Sequence, residues 1–485
     1  MKSNNLDFTP DEFRRLLGRN ADLIERYFSN QEEKKAYHAF PQPEVAGWFD
    51  EPLPEYGMDP DEVLDLVKER VLETATNNVG PYMYAYVMAG GTQVSILAEQ
   101  LAATVNQNVG KWHLAPAMTE MEKRVVQWGS DLVGYGESVA GVLLSGGSAA
   151  NLAGLTVARN LFFAKHNIRE KGLFGIPPFT VYASQEVHSC VDKSLQVLGI
   201  GTRQLRKIAT DEHYRMDPDA LRDQVEKDKH EGFTPFCIVG TAGTVNTGAI
   251  DPLDILADIA EQYGMWYHID GAYGVLAAAL EELKPYYKGL ERANSLALDF
   301  HKWLYQPFEA GCLMVKDWET LNQAYFKQAD YLDTSLEDQR RLDFNEHYFQ
   351  LSRSAKALKI WMSLKTYGAA RMRNMIQKDI DLTHYLAEKV QESPDFELIA
   401  TSHLAIVGFR YTGGIFEEEK IERMNRRLVP ALEDDGRIFI TGTKLKGKFA
   451  LRACLINHRM QTHTLDYMLY VIGDVAQYVS DVVEE

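Results

Sequence analysis

The sequence predicts an α/β fold in which a mostly parallel sheet is covered by helices on both faces. Three observations predict it. Short β-rich apolar runs alternate with helical stretches through the middle of the chain. The runs at 236–239 and 265–269 read as strands buried on both faces. Chemistry-bearing residues cluster just after the runs, where such sheets place their functional loops.

Taken in order, residues 1–60 mix charged helical stretches with turn signals, and Pro41-Gln42-Pro43 begins a wandering connection. Over 60–72 the apolar residues fall three and four apart, predicting an amphipathic helix. Gly90 and Gly91 break the chain before a second helix over 94–105. This is an N-terminal helical lobe, 1–100, with no core of its own. A large domain, 101–380, carries strands at 142–144, 179–183, 236–239, 265–269 and 295–298, with helices over 149–165, 187–198 and 252–263. The pattern turns helical after 351. A smaller C-terminal α+β domain, 381–485, holds strands over 399–410 and 449–456 and helices over 417–432 and 462–479.

Composition narrows the function. Apolar residues are 45% of the 485 and charged residues 25%, a globular balance. No apolar run is long enough for a bilayer and the first residues lack a signal-peptide core, so a cytoplasmic protein with no membrane partner is expected. A formal charge of -18 argues against nonspecific nucleic-acid binding. Cys190, Cys237, Cys312 and Cys454 form no CxxC pair and the 13 histidines no compact cluster, so neither a metal nor a disulfide framework is expected.

Lys302 stands in the apolar and aromatic run Asp299-Phe300-His301-Lys302-Trp303-Leu304. Burying its cation is costly, and a Schiff base with a bound aldehyde removes that cost. The plainer alternative packs the lysine stem on Trp303 with the amine in water. Asp270 follows the apolar run 265–269 and precedes Gly271, where a carboxylate can face the nitrogen of a cofactor ring; a turn-forming Asp before Gly is the alternative. Ser145-Gly146-Gly147-Ser148 leads into a helix, so backbone N–H groups can approach a phosphate. It matches neither GxGxxG nor the Walker pattern. His188 suits stacking on a cofactor or relaying a proton, and equally a solvent-facing loop. Thr241-Ala242-Gly243-Thr244 brings small hydroxyl-bearing residues to another strand end.

Together with Glu186-Val187-His188-Ser189 and Tyr267-His268-Ile269-Asp270-Gly271-Ala272-Tyr273, these segments resemble the group II pyridoxal 5'-phosphate (PLP)-dependent amino-acid decarboxylases. Aromatic-amino-acid, glutamate and histidine decarboxylases belong to that family. The resemblance spreads from about Pro81 to the C-terminus. It implies a fold-type-I transferase fold with a seven-stranded sheet and a homodimer whose N-terminal lobe embraces the partner. It further implies that Lys302 carries PLP, Asp270 pairs with the ring nitrogen, His188 stacks on one ring face and Ala272 packs on the other. Gly147, Ser148 and His301 would place the phosphate, and Thr244 would sit near the cofactor rim. Tyr331 resembles the mobile-loop tyrosine that protonates Cα after carbon dioxide leaves.

Arg353 and Arg452 are candidates for a carboxylate partner, with structural ion pairs as the alternative. Pro81-Tyr82 and Ala85-Tyr86 resemble an aromatic pocket, whereas Asn106-Gln107-Asn108 suit a shorter or acidic side chain, so both substrate classes stay open. Rival activities are an aminotransferase, another PLP lyase or a decarboxylation-dependent oxidative deaminase. A non-enzymatic structural or interaction protein is the rival of a different class.

Overall fold

The computed structural model describes residues 6–326 and 341–480. Its centre is a seven-stranded sheet built from β1 (Ala140–Leu144), β2 (Phe179–Ser184), β3 (Leu205–Ile208), β4 (Thr234–Thr241), β5 (Trp266–Asp270), β6 (Ser295–Asp299) and β7 (Gly311–Val315). The spatial order is β1-β7-β6-β5-β4-β2-β3. Every pairing is parallel except those of β7 with β1 and β6. The expected α/β class with a mostly parallel seven-stranded sheet is observed. Strands β1, β2, β6 and β7 are buried along their whole length, which explains apolar runs with no alternation.

Strands β3 and β7 were not anticipated. Leu205–Ile208 interrupts its apolar residues with Arg206 and Lys207, whereas Gly311–Val315 carries the clear apolar signal of a buried strand. Residues 300–310 are too few for a crossover, so β7 returns antiparallel to β6. The consequence is local: β6 ends at Asp299, and the helical turn Phe300–Trp303 hangs between two strands.

Helix Gly147–Phe162 packs across β5, β6 and β7 on one face, and helix Leu253–Tyr263 lies against β4 and β5. Helix Pro116–Val133 packs beside β1.

A second, antiparallel sheet has the order β10-β11-β9-β8, from β8 (Phe396–Thr401), β9 (Ile406–Tyr411), β10 (Thr441–Leu445) and β11 (Lys448–Cys454). The single strand expected over 399–410 is therefore a hairpin, β8 and β9. Its turn, Ser402-His403-Leu404-Ala405, contains neither Gly nor Pro and is held by the Ser402 hydroxyl accepting from Leu404 N at 3.1 Å. Helix Ala357–Glu392 is broken at Gly368 (φ 74°, ψ 156°), so the boundary expected near 380 falls inside its second arm.

In the N-terminal region, helix Pro10–Phe28 opens with a capping box between Thr9 and Glu12. Arg19 reaches Asp61 and Asp65 of helix Pro60–Val67, which passes into a π-turn at Lys68–Leu72. Among the described residues no helix is long and apolar enough to cross a membrane.

Candidate active site

The C-terminal ends of β1, β2, β4, β5 and β6 all open on one cavity of about 290 Å³. Strand β1 delivers Ser145 and Gly146 and then starts helix Gly147–Phe162. Gly146 is the N-cap and supplies no side-chain cap, so the first-turn N–H groups stay open to an anion. Glycine is required at 147 by close packing. A Cβ there would stand 2.7 Å from Ala272 Cβ and 2.9 Å from Asp299 Oδ2. Gly311 of β7 lies against the Gly146 backbone, where a Cβ would come within 2.4 Å.

Lys302 sits on the turn after β6, its side chain 20% exposed and its Nζ 3.3 Å from Asp299 Oδ2. His301 Nε2 stands 3.6 Å from the same oxygen. Burial lowers the His301 pKa against the opposing pull of Asp299, favouring the neutral ring, and its Nδ1 accepts from Ala310 N at 3.3 Å. Asp299 is itself buried, and its Oδ1 has no hydrogen-bond partner.

Asp270 ends β5. Its Oδ1 accepts from Ala272 N at 3.2 Å, and it is paired in register with Thr241 of β4. His188 caps helix Ser189–Val197 by accepting from Cys190 N at Nδ1, 3.2 Å away. Burial lowers its pKa, with Asp270 opposing, so a ring in this place favours the neutral form.

Behind the cavity runs a chain of polar contacts that motif reading missed. Fully buried His268 places Nε2 2.8 Å from Asn151 Oδ1 and Nδ1 2.8 Å from Ser295 Oγ. Trp266 Nε1 donates to Ser295 Oγ at 2.9 Å, and Asn151 Nδ2 donates to Cys190 Sγ at 3.4 Å. This orientation makes Nε2 the protonated nitrogen of a neutral ring. Asn151 and Cys190 both line the cavity. The available signal was spacing: residues 268 and 270 fall on one face of a strand.

The cavity lining includes Gly147, Ser148, His188, Asp270, Ala272, His301 and Lys302, all anticipated from sequence. Thr244 is not among them. Gly243 (φ 107°) turns the chain, and Thr244 is fully buried with its hydroxyl accepting from Ala249 N at 3.0 Å. Thr241 lines the cavity instead, its Oγ1 buried without a partner. Tyr331 lies outside the described residues.

Arg353 does not line the cavity. It pairs with buried Glu122, donates to Leu143 O and lies over the Phe344 ring. Arg452 donates to Val245 O at 2.8 Å and Tyr86 O at 2.7 Å, leaving Nη2 buried without a partner. Val245 lines the cavity, so this cation stands one residue behind the wall. Asn108 Oδ1 accepts from Gly110 N and Arg353 N, and Asn106 ends helix Gln93–Val105. Neither amide lines the cavity. All four cysteines are free and buried, and among the described residues no His/Cys/Asp/Glu group could hold a metal ion.

These groups fit a flat, phosphate-bearing aldehyde such as PLP. An amine opens into the cavity, a carboxylate stands at a neighbouring strand end, and an uncapped helix N-terminus faces the same space. The unpartnered Thr241 hydroxyl supplies a further polar contact.

Comparison with known proteins agrees. Residues 44–412 match the pyridoxal-dependent decarboxylase conserved domain. An aromatic-L-amino-acid decarboxylase of Bacillus atrophaeus is 32% identical, the match covering 99% of this chain and 98% of that protein. A phenylacetaldehyde synthase of Petunia hybrida is 30% identical over 91% and 90% of the two chains. The crystal structure of Oryza sativa TDC with PLP and tryptamine superposes with a TM-score of 0.91 at 25% identity, covering 98% of this chain and all of that one.

Proposed function

This chain belongs to the pyridoxal-dependent decarboxylases, PLP-dependent carboxy-lyases of amino acids, and from that premise we propose that its substrate is an aromatic L-amino acid. One observation carries the choice of class. Lys302 is the only lysine or arginine among the described residues lining the cavity. An acidic side chain would bring a second carboxylate and need a second cation in the wall, and Arg452, one residue behind it, already donates to the Val245 and Tyr86 carbonyls. Of the amides that could have recognised such a side chain, Asn108 serves a turn and Asn106 a helix end. Relatives named as aromatic-L-amino-acid decarboxylases support the same reading.

The proposed division of work follows from placement. Lys302 would supply the amine that anchors PLP. Gly147, Ser148 and His301 hold the phosphate at the open N-terminus of helix Gly147–Phe162. His188 and Ala272 would hold the ring, and Asp270 would keep its nitrogen protonated. Bound there, PLP supplies the electron sink for the pair released when the Cα–carboxylate bond breaks. Tyr331 is the residue we assign to delivering the proton to Cα.

The protein is proposed to act as a homodimer. Leu97, Leu101 and Val105 make a half-exposed apolar stripe at four-residue spacing on helix Gln93–Val105, which a second copy would cover.

Quantifying amine and carbon dioxide from the PLP-loaded protein with separate amino acids tests this function. Equal amine and carbon dioxide from phenylalanine, tyrosine or tryptophan is the expected result. Turnover of glutamate or 2,4-diaminobutyrate alone would overturn the aromatic assignment. Aldehyde and ammonia in place of amine would make the protein an oxidative deaminase.

A further inference from the structure

Bonded to two residues that follow Lys302, and outside the cavity lining, is a buried carboxylate that the reaction does not use. Asp379 belongs to the second arm of helix Ala357–Glu392 and is fully buried. Its Oδ2 accepts two hydrogen bonds, from Trp303 Nε1 at 2.9 Å and from Tyr305 Oη at 2.7 Å. Those donors follow the anchor lysine, at the next residue and the third residue on. Both are neutral, and no ion pair to Asp379 is found among the described residues. Its Oδ1 is buried without a partner among the described residues.

The two donors are themselves tied to the site. The Trp303 ring stacks on Tyr273 at 5.3 Å between centroids and 13° between planes. Tyr273 lines the cavity and follows Ala272. Its hydroxyl accepts from Ala405 N at 2.9 Å, in the turn between β8 and β9. Tyr305 holds a left-handed backbone (φ 53°), and its carbonyl accepts from Thr92 N at 3.0 Å. A bulky residue in that conformation needs its surroundings to hold it there. One carboxylate oxygen thus binds two side chains at the C-terminal end of the Lys302 turn.

We propose that Asp379 is a positioning residue for Lys302: by gripping Trp303 and Tyr305 it sets where the lysine amine enters the cavity. The proposal rests on the assignment of Lys302 as the anchor. The turn Phe300–Trp303 is only four residues long. The grip from the long helix adds to the packing of buried Phe300 and Trp303 in holding it at the strand end. It also couples the amine to the element leading into the second sheet, so a shift of that helix would move the amine.

Three variants test this. Asp379→Leu removes the acceptor and strands two buried donors. Asp379→Asn keeps an oxygen acceptor, while its amide replaces the unpartnered Oδ1. Lys302→Ala is the control for the anchor. Loading is read as the rate at which cofactor-free protein forms the lysine-bound absorbance after PLP is added, beside kcat per bound cofactor, KM and the melting temperature.

In Asp379→Leu, kcat per bound cofactor should fall about 100-fold, the scale of a small misplacement of a reacting group, with KM within about threefold. Loading should slow in parallel, and Asp379→Asn should restore both. Unchanged kcat and loading in Asp379→Leu, with only a lower melting temperature, would overturn the proposal, as would an Asn variant as damaged as Leu. If Asp379→Leu does not fold, Tyr305→Phe removes one donor while keeping its ring, and Trp303→Phe removes the other while keeping a smaller aromatic ring. Slower loading in both supports the grip, and normal loading in both overturns it. A normal borohydride-trapped adduct in Lys302→Ala would instead refute the anchor assignment, so the two failures are distinguishable.

Discussion

His268 and Asp270 stand two residues apart on β5 and both are buried, one in a polar chain behind the cavity and one in its wall. Both ring nitrogens of His268 are engaged, by Asn151 and Ser295, and burial pushes its pKa down to about 4. A histidine free in an unfolded chain titrates near 6.5. The folded protein therefore binds this proton less readily than the unfolded chain. The stability this contributes is present above about pH 6.5 and drains away as pH falls toward 4. A His268→Gln variant should lose part of that acid sensitivity. Melting temperatures of both proteins between pH 7 and pH 5 check it, and parallel curves would show that His268 is not the group responsible.

Asp270→Ala should cost turnover far more than cofactor retention. The carboxylate sits at the strand end, apart from the open helix N-terminus assigned to the phosphate. Losing a group that stabilises developing charge costs about 100-fold or more in kcat. Turnover per bound cofactor, set beside the PLP dissociation constant, separates the two effects. Normal turnover would remove Asp270 from the role proposed for it.

Gly147→Ala should weaken cofactor binding. The added methyl would meet Ala272 Cβ at 2.7 Å and Asp299 Oδ2 at 2.9 Å, and it sits in the first turn assigned to the phosphate. Relieving that overlap requires helix and cavity wall to move apart, at a cost of about 1–3 kcal/mol. Titrating cofactor-free protein with PLP should show roughly tenfold weaker binding, since 1.4 kcal/mol is a factor of ten. Equal affinity would place the phosphate elsewhere.

Tyr331→Phe should leave PLP binding near normal and slow or divert the protonation of Cα. Product analysis by mass spectrometry reads both outcomes, since a diverted reaction yields carbonyl product in place of amine. Unchanged rate and product would assign the proton to another donor.

Much of this site is legible in the chain because its parts are local. A lysine in an aromatic run, an aspartate closing an apolar strand and a glycine pair opening a helix each carry a signal within a few residues. Thr241 and Thr244 mark the limit. Both carry a hydroxyl near the end of the same strand, and the turn at Gly243 leaves one in the cavity wall and takes the other away. The hairpin of β8 and β9 escaped for a related reason, since its turn has no Gly or Pro to announce it.

The sequence by itself determined the α/β class, the anchor candidate Lys302, its partner Asp270 and the family. These follow from apolar patterning and short motifs, which are properties of neighbouring residues. Only the tertiary structure decided that Asp299 stands beside Lys302, that Asn151 meets His268 across 117 positions, and that Asp379 reaches Trp303 across 76. The last two of those contacts join segments far apart in the chain. The energy that selects them is the cost of burying a polar atom unpaired, and that cost exists only once the chain has packed.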